Sequence, residues 1–222
     1  MAAEPAITFG ATSKFGTVTG WNPQGATKTK TFQRASALDE KGNEVVSSLY
    51  DERTEYSQEF RANTVSAPTI PPTIGALIGE CVLTGIYISM SGTDFASMTL
   101  TGHQHRFHAH ADTLQQASHG ITLTSGFGAE DLLGGTAGDS ADVESATVEI
   151  TCQHKDSTDG SGNHLVGENY TAMITASTTW VGKPTIGVGA GWDETSEALV
   201  ESNVDHVRVT YSATKAIALG AP

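Results

Sequence analysis

The run CVLTGIYISMSGTDFASMTLT, residues Cys81–Thr101, decides the fold class. Cys81 to Met90 is rich in Val, Ile and Tyr, side chains that suit a pleated, packed surface better than a helix. Ser91-Gly92-Thr93-Asp94 supplies turn chemistry, and Phe95 to Thr101 returns with Met98 and Leu100 on one face. Two strands and a turn are predicted, the first of them buried.

The same period of two continues toward the N-terminus. From Ala26 to Leu38, Lys28, Lys30, Phe32, Arg34 and Leu38 share one face, and Thr27, Thr29, Thr31, Ala35 and Ala37 the other. Asp39-Glu40-Lys41-Gly42-Asn43 is a strong turn, because Gly and Asn tolerate positive φ. Glu44 to Tyr50 returns. Arg53 to Arg61 alternates again, Tyr56 and Phe60 opposing Glu55, Glu59 and Arg61. Neither Ala26–Leu38 nor Arg53–Arg61 has a strongly apolar face, so both read as strands that need a neighbouring subunit. Pro68, Pro71 and Pro72 make Ser66–Pro72 an extended connector, since proline cannot sit in a central strand.

Toward the C-terminus, Leu114 to His119 is expected to form a short helical turn. Gly126 to Gly138, which includes Gly128, Gly134 and Gly135, is a long loop of the kind that is functional or mobile. Val143–His154 places Ala146, Val148, Ile150 and Cys152 on one face. Tyr170–Trp180 places Tyr170, Ala172, Ile174, Ala176 and Trp180 in phase, and Val204–Ser212 does so for Val207, Val209 and Tyr211. The expected fold class is therefore all-β, an antiparallel β-sandwich or barrel with long Gly-rich and Pro-rich loops and at most one short helix. Residues 1–222 form a single β domain. Phe32–Arg61 and Thr147–Thr178 echo each other as strand, acidic turn ending in Gly-Asn, strand, a pattern two related halves (about 1–112 and 113–222) would produce.

Charge narrows the partners. The 12 Lys and Arg against 25 Asp and Glu give a formal net charge of -13, which repels phosphate backbones and anionic lipid heads. The basic cluster Lys28, Lys30, Arg34 is too small for a nucleic-acid footprint, so neither sequence-specific nucleic-acid binding nor a membrane partner is expected. Such acidity fits a wall past which DNA slides without sticking, but most acidic proteins are merely soluble, and that plainer reading carries more weight. Ile74 to Met90, the most apolar segment, is broken by Gly75, Gly79, Glu80 and Gly85 and will not span a bilayer. Met1 to Thr8 lacks the basic and apolar regions of a signal peptide, which places synthesis in a cytoplasm. Cys81 and Cys152 could pair only if their strands are adjacent, and two buried free thiols are the expectation.

The most chemically loaded segment is Gly102–Asp112, with His103, His105, His108, His110 and Asp112 as candidate metal ligands. His108-Ala-His110-Ala-Asp112 resembles the start of the metallo-β-lactamase signature, but Thr113 stands where that motif requires His and no βαβα pattern surrounds it. Strand parity also puts His103 and His105 opposite His108 and His110 unless Gly102 hosts a bulge. The plainer reading is a polar strand whose histidines hydrogen-bond, meet solvent or line a subunit contact. Asp156, Asp159 and Asn163 match no EF-hand spacing. Asp51, Glu52, Glu55 and Glu59 read as a solvated face rather than a glycosidase pair. No nucleophile elbow, phosphate loop or dinucleotide fingerprint occurs, so no catalytic residue and no cofactor are assigned.

Ala37–Arg61 (ALDEKGNEVVSSLYDERTEYSQEFR) and Leu83–His105 (LTGIYISMSGTDFASMTLTGHQH) resemble segments of phage tail tube and related virion structural proteins, in which an acidic Gly-Asn turn between strands precedes a hairpin. The resemblance implies a virion subunit that joins sheets with copies of itself in a ring, commonly a hexamer, and stacks into a tube. It also implies other virion proteins as partners. Pro68, Pro71, Pro72, Gly126, Gly128, Gly134 and Gly135 would then lie in segments reaching adjacent rings. A capsid decoration or baseplate subunit is the nearest alternative. Outside the virion class stand a β-sandwich carbohydrate-binding or adhesive module using Trp21, Trp180 and Trp192, and last a metal-dependent hydrolase.

Overall fold

The computed structural model describes residues 15–16, 18–78, 81–105, 114–133, 142–159, 164–182, 189–201 and 207–220. Among them are eleven strands and no helix: β1 (Trp21–Leu38), β2 (Glu44–Ala62), β3 (Thr73–Ile74), β4 (Leu77–Ile78), β5 (Cys81–Ser91), β6 (Ser97–His105), β7 (Ala117–Ser118), β8 (Asp142–Thr158), β9 (His164–Val181), β10 (Asp193–Val200) and β11 (Arg208–Ile217). Nine belong to one antiparallel sheet in the order β1-β2-β6-β5-β8-β9-β11-β10, with β4 on the start of β5. β3 and β7 form a second, two-stranded sheet. The large sheet does not close into a barrel; β1 and β10 are its two edges.

Cross-strand register turns the period-two pattern into continuous rows. Phe60, Met98, Ile88, Val148, Ala176 and Ala213 are successive partners across six strands, and all are buried. The next row on this face runs Gln58, Leu100, Ile86, Ile150, Ile174, Lys215. One residue out of phase, the chain presents Glu59, Thr99, Tyr87, Glu149, Thr175, Thr214 and Asp193, and beside them Arg61, Ser97, Ser89, Thr147, Ser177, Ser212 and Ser196. One face of the sheet is therefore apolar and the other is made of hydroxyls and carboxylates. Desolvating the first drives folding, and the second keeps its polar groups in water.

The apolar face is covered by a thinner layer: the β3–β7 pair and its flanking loops, which bury Ile74, Ala117, Leu123, Leu132 and Leu133, together with Phe15 and Trp21. The expected connector Ser66–Pro72 does carry the chain from the large sheet to β3. The helical turn expected at Leu114–His119 is corrected: Ala117 and Ser118 pair with Ile74 and Thr73, because burying Ala117 against the core outweighs a weak local preference.

Three further expectations change. Tyr56, Gln58 and Phe60 are buried within this chain, because β2 is flanked by both β1 and β6, so Arg53–Arg61 is a core strand rather than one awaiting a neighbour. Tyr170 is out of phase with Ala172. A bulge pairs Gln153 with Thr171 but His154 with Asn169, which turns Asn169 inward and Tyr170 outward. The irregularity expected at Gly102 lies instead in its partner β5, between Leu83 and Gly85, while the β2–β6 ladder stays regular through His105. Glycine is needed at 102 for another reason: a Cβ there would lie 2.4 Å from the Val82 carbonyl oxygen and 2.8 Å from Cys81 Sγ.

The two halves share a strand order. β1, β2, β5 and β6 lie as first, second, fourth, third, and β8, β9, β10 and β11 lie in that same order in the same direction. The third strand of the first set pairs with the first strand of the second, β5 with β8.

Candidate functional site

The first candidate is the pair of open edges. Among the described residues β6 accompanies β2 from Arg53 to Arg61, and β1 and β2 continue as a paired hairpin from there to their turn. With Thr31–Leu38 as one rail, it projects roughly 25 Å at about 3.3 Å per residue. Its tip is well made. Asp39 Oδ1 accepts from the backbone N–H groups of Lys41 and Asn43 at 2.8 Å, Gly42 takes φ +81, and Arg34 donates to both oxygens of Glu44. These bonds hold the Asp39 carboxyl below its ordinary pKa, those from Asn43 foremost.

The flanks of this arm are bare. Phe32, Leu38 and Leu49 share one face and are 54%, 61% and 60% exposed; Val46, 61% exposed, lies on the other. A two-stranded hairpin is marginal in water without a third layer, and exposed apolar side chains gathered on one invite a partner. At the opposite edge all eight residues of β10 are exposed, including Leu199 and Val200. Lys28, Lys30 and Arg34 lie on β1, Lys30 and Arg34 paired with Glu52 and Glu44 of β2, and Asp193, Glu194 and Glu197 lie on β10.

The proline and glycine candidates lie elsewhere. Pro68 and Pro71 are buried and Pro72 exposed. Thr69 bonds the Thr19 carbonyl, and the Pro71 carbonyl accepts from His119 Nε2 at 2.6 Å, so the connector is bonded to the body. Gly126 is buried, its carbonyl accepting from Ala96, and Gly128 N–H donates to Asp94. A Cβ at 126 would meet the Thr64 carbonyl oxygen at 2.1 Å. This part of the loop is packed structure, and the element that projects is the β1–β2 arm. Gly134 and Gly135 lie outside the described residues.

The second candidate is a histidine–aspartate cluster that sequence proximity did not predict. β5 pairs with β8 only over Gly85–Ser91, leaving β8 and β9 to overhang beyond it. Past the end of that ladder His103 on β6 meets His154 on β8, ring centroids 4.6 Å apart. Asp156, two residues on, faces the same way. One ligand atom each from His103, His154 and Asp156 lie within 4.8 Å of one another. His154 Nε2 is 2.7 Å from Asp156 Oδ1, and His154 Nδ1 is 2.7 Å from Asn169 Oδ1.

Asn169 in turn donates through Nδ2 to the carbonyls of Gly75 at 3.0 Å and Gln115 at 2.6 Å. Burial alone would depress the His154 pKa, but its bonds to Asp156 and Asn169 outweigh that and raise it. Arg53 Nη1 stands 4.0 Å from Asp156 Oδ2. A cleft of about 310 Å³, bounded by Thr27, Thr29, Arg53, Glu55, Thr101 and His103 among others, adjoins the cluster.

Of the five predicted ligands only His103 is brought into this cluster. His105 is placed as the β6 partner of Arg53, with its side chain not described, and His108, His110 and Asp112 lie outside the described residues. His154 and Asn169 were missed, and Asp156 was named only with Asp159 and Asn163. The available signal was the i, i+2 spacing of His154 and Asp156, which places both on one face of a strand. Cys81 and Cys152 are free and buried, their thiols pushed up to about 12 and about 11 by desolvation. Cys81 precedes the β5–β8 ladder, so adjacency of those strands does not pair the two. Trp21 and Trp180 are buried and Trp192 packs against the core, so no exposed tryptophan platform exists for a sugar. Among the described residues no helix is long and apolar enough to cross a membrane.

No protein-family model matches this sequence, and no curated protein is significantly similar to it.

Proposed function

We propose that this protein is a structural virion subunit that self-assembles edge to edge into rings or a tube, and that it is a phage tail tube protein. The observation that carries the reading is the open nine-stranded sheet with two exposed edges, β1 and β10, and an exposed β1–β2 hairpin along one of them. An unpaired edge is a standing liability in a monomer, and closure by neighbours removes it. Unlike edges that meet head to tail form a ring when the rotation per subunit closes.

The chain contains a template for that contact. Its third strand already pairs antiparallel with the first strand of the following four-strand set, β5 with β8. Pairing β10 with β1 of the next copy repeats the same step between chains, and the arm then lies along that neighbour. The hydroxyl-and-carboxylate face, with Glu59 and Glu149 near its middle, suits a surface past which a polyanion slides. The partners in this reading are further copies of the chain and other virion proteins, and its location is the virion. A capsid decoration or baseplate subunit would use the same edges without stacking.

Light scattering and negative-stain microscopy test the proposal. Rings or tubes are expected at micromolar concentration, and a monomer overturns it. Leu199→Lys with Val200→Lys places charge on the β10 edge and should return assemblies to monomers without lowering the melting temperature. Assembly unaffected by that pair removes β10 from the seam.

A further inference from the structure

We propose that His103, His154 and Asp156 bind one divalent transition-metal ion, zinc being the best match, which pins the β8–β9 overhang to β6. The site lies within a single chain and does not rest on the assembly reading.

Two imidazoles and a carboxylate are ligands for zinc and its neighbours in the first transition row. A tetrahedral ion with bonds of about 2.1 Å holds its ligand atoms about 3.4 Å apart. The three ligand atoms lie within 4.8 Å of one another, His154 Nε2 and Asp156 Oδ1 at 2.7 Å, so side-chain rotations that part this pair and draw in His103 complete the set. The cluster is largely buried beside the cleft that His103 helps to line: His103 is 2% exposed, and the side chains of His154 and Asp156 are 3% and 12% exposed. Three protein ligands leave the fourth tetrahedral position to water from that cleft.

Asn169 decides which nitrogen of His154 is offered. Its Nδ2 donates to two backbone carbonyls, Gly75 and Gln115, which can only accept, so Oδ1 is the atom facing His154. An amide oxygen accepts, hence Nδ1 of His154 carries a proton, and the lone pair of the neutral ring lies on Nε2. That lone pair points at Asp156 Oδ1 from 2.7 Å. At 2.7 Å a proton joins these two acceptors, and an ion with bonds of about 2.1 Å takes the place of that proton once the pair opens to about 3.4 Å. The Asn169 contact is the outer hydrogen bond that ligating histidines ordinarily have. Gly167 makes room for the arrangement, since a Cβ there would sit 2.6 Å from His154 Nε2. Arg53 opposes a cation, but it approaches Asp156 through Oδ2 and leaves Oδ1 to the site.

The test uses the full chain, stripped with chelator, exposed to zinc chloride, dialysed, and read by elemental analysis and thermal melting. One zinc per chain is expected, with a rise in melting temperature. Asp156→Asn and His103→Gln, each checked for a native circular dichroism spectrum, should weaken zinc binding about tenfold or more and abolish the rise. His108→Ala with His110→Ala should keep both. Wild-type protein that retains no zinc overturns the proposal. So does zinc lost by the His108/His110 pair but kept by Asp156→Asn and His103→Gln, which assigns the metal to the histidine run on β6 and beyond.

Discussion

Asn169 joins three segments that are distant in sequence, and its removal measures what that junction contributes. The side chain is 3% exposed and makes three hydrogen bonds: to the Gly75 carbonyl, the Gln115 carbonyl and His154 Nδ1. A buried hydrogen bond contributes about 0.5–1.5 kcal/mol net, and stranding its partners costs more. Asn169→Ala should therefore destabilise by about 3 kcal/mol, a large part of the roughly 5–15 kcal/mol typical of a domain. For a chain of this size that is a fall in melting temperature of about 6–12 °C, at about 2–4 °C per kcal/mol. Urea titration followed by fluorescence of the buried Trp21 and Trp180 gives the free energy directly. Asn169→Asp separates donor chemistry from shape. It is nearly isosteric but turns carboxylate oxygens toward two carbonyls, so it should be at least as damaging as alanine. A loss below about 1 kcal/mol in Asn169→Ala, or a tolerated Asn169→Asp, refutes the reasoning.

Two further outcomes follow from the same physics. His119 is buried, accepting from Ile121 N–H at Nδ1 and donating from Nε2 to the Pro71 carbonyl, and desolvation holds its pKa below the ordinary value despite the Pro71 bond. Its contribution to stability is full above the unfolded pKa of about 6.5 and is lost as pH falls toward the lower folded value. Urea midpoints should drop on acidification less steeply in His119→Gln than in the wild type, and equal slopes contradict this; the raised pKa of His154 acts in the opposite sense and is common to both proteins. On the sheet itself, Ile150→Ala, at a fully buried position in the apolar rows, should cost about 2–5 kcal/mol. Tyr87→Thr, on the face with exposed polar rows, should cost well under half of that by urea denaturation. Similar losses at both positions would contradict the two-faced sheet.

Much of the sheet was legible because a strand's side-chain period is local. Met98 and Leu100 share a face by parity alone, and Cys81–Met90 contains the side chains that a buried strand favours. The exposed edge Ala26–Leu38 was also legible, because no apolar stripe alternates along it. Arg53–Arg61 looked the same and is not, since Tyr56, Gln58 and Phe60 are buried by β6, a strand whose pairing nothing within 53–61 encodes. The histidine–aspartate cluster was not legible for a related reason. His103, His105, His108 and His110 are neighbours in the chain, whereas the partners that His103 meets lie some fifty residues away.

The sequence by itself determined an all-β antiparallel chain, its principal turns and its acidic charge, because each depends on residue type and short-range periodicity. Strand order, the bulge that turns Asn169 inward, the packing of Gly126 against Thr64 and the end of the β5–β8 ladder at Gly85 were decided by the tertiary structure. Those features depend on which strands share hydrogen bonds and where each ladder stops, and a shift of one residue exchanges the buried face for the exposed one. The meeting of His103 with His154 and Asp156 arises where β8 outruns its ladder with β5, which only the assembled sheet defines.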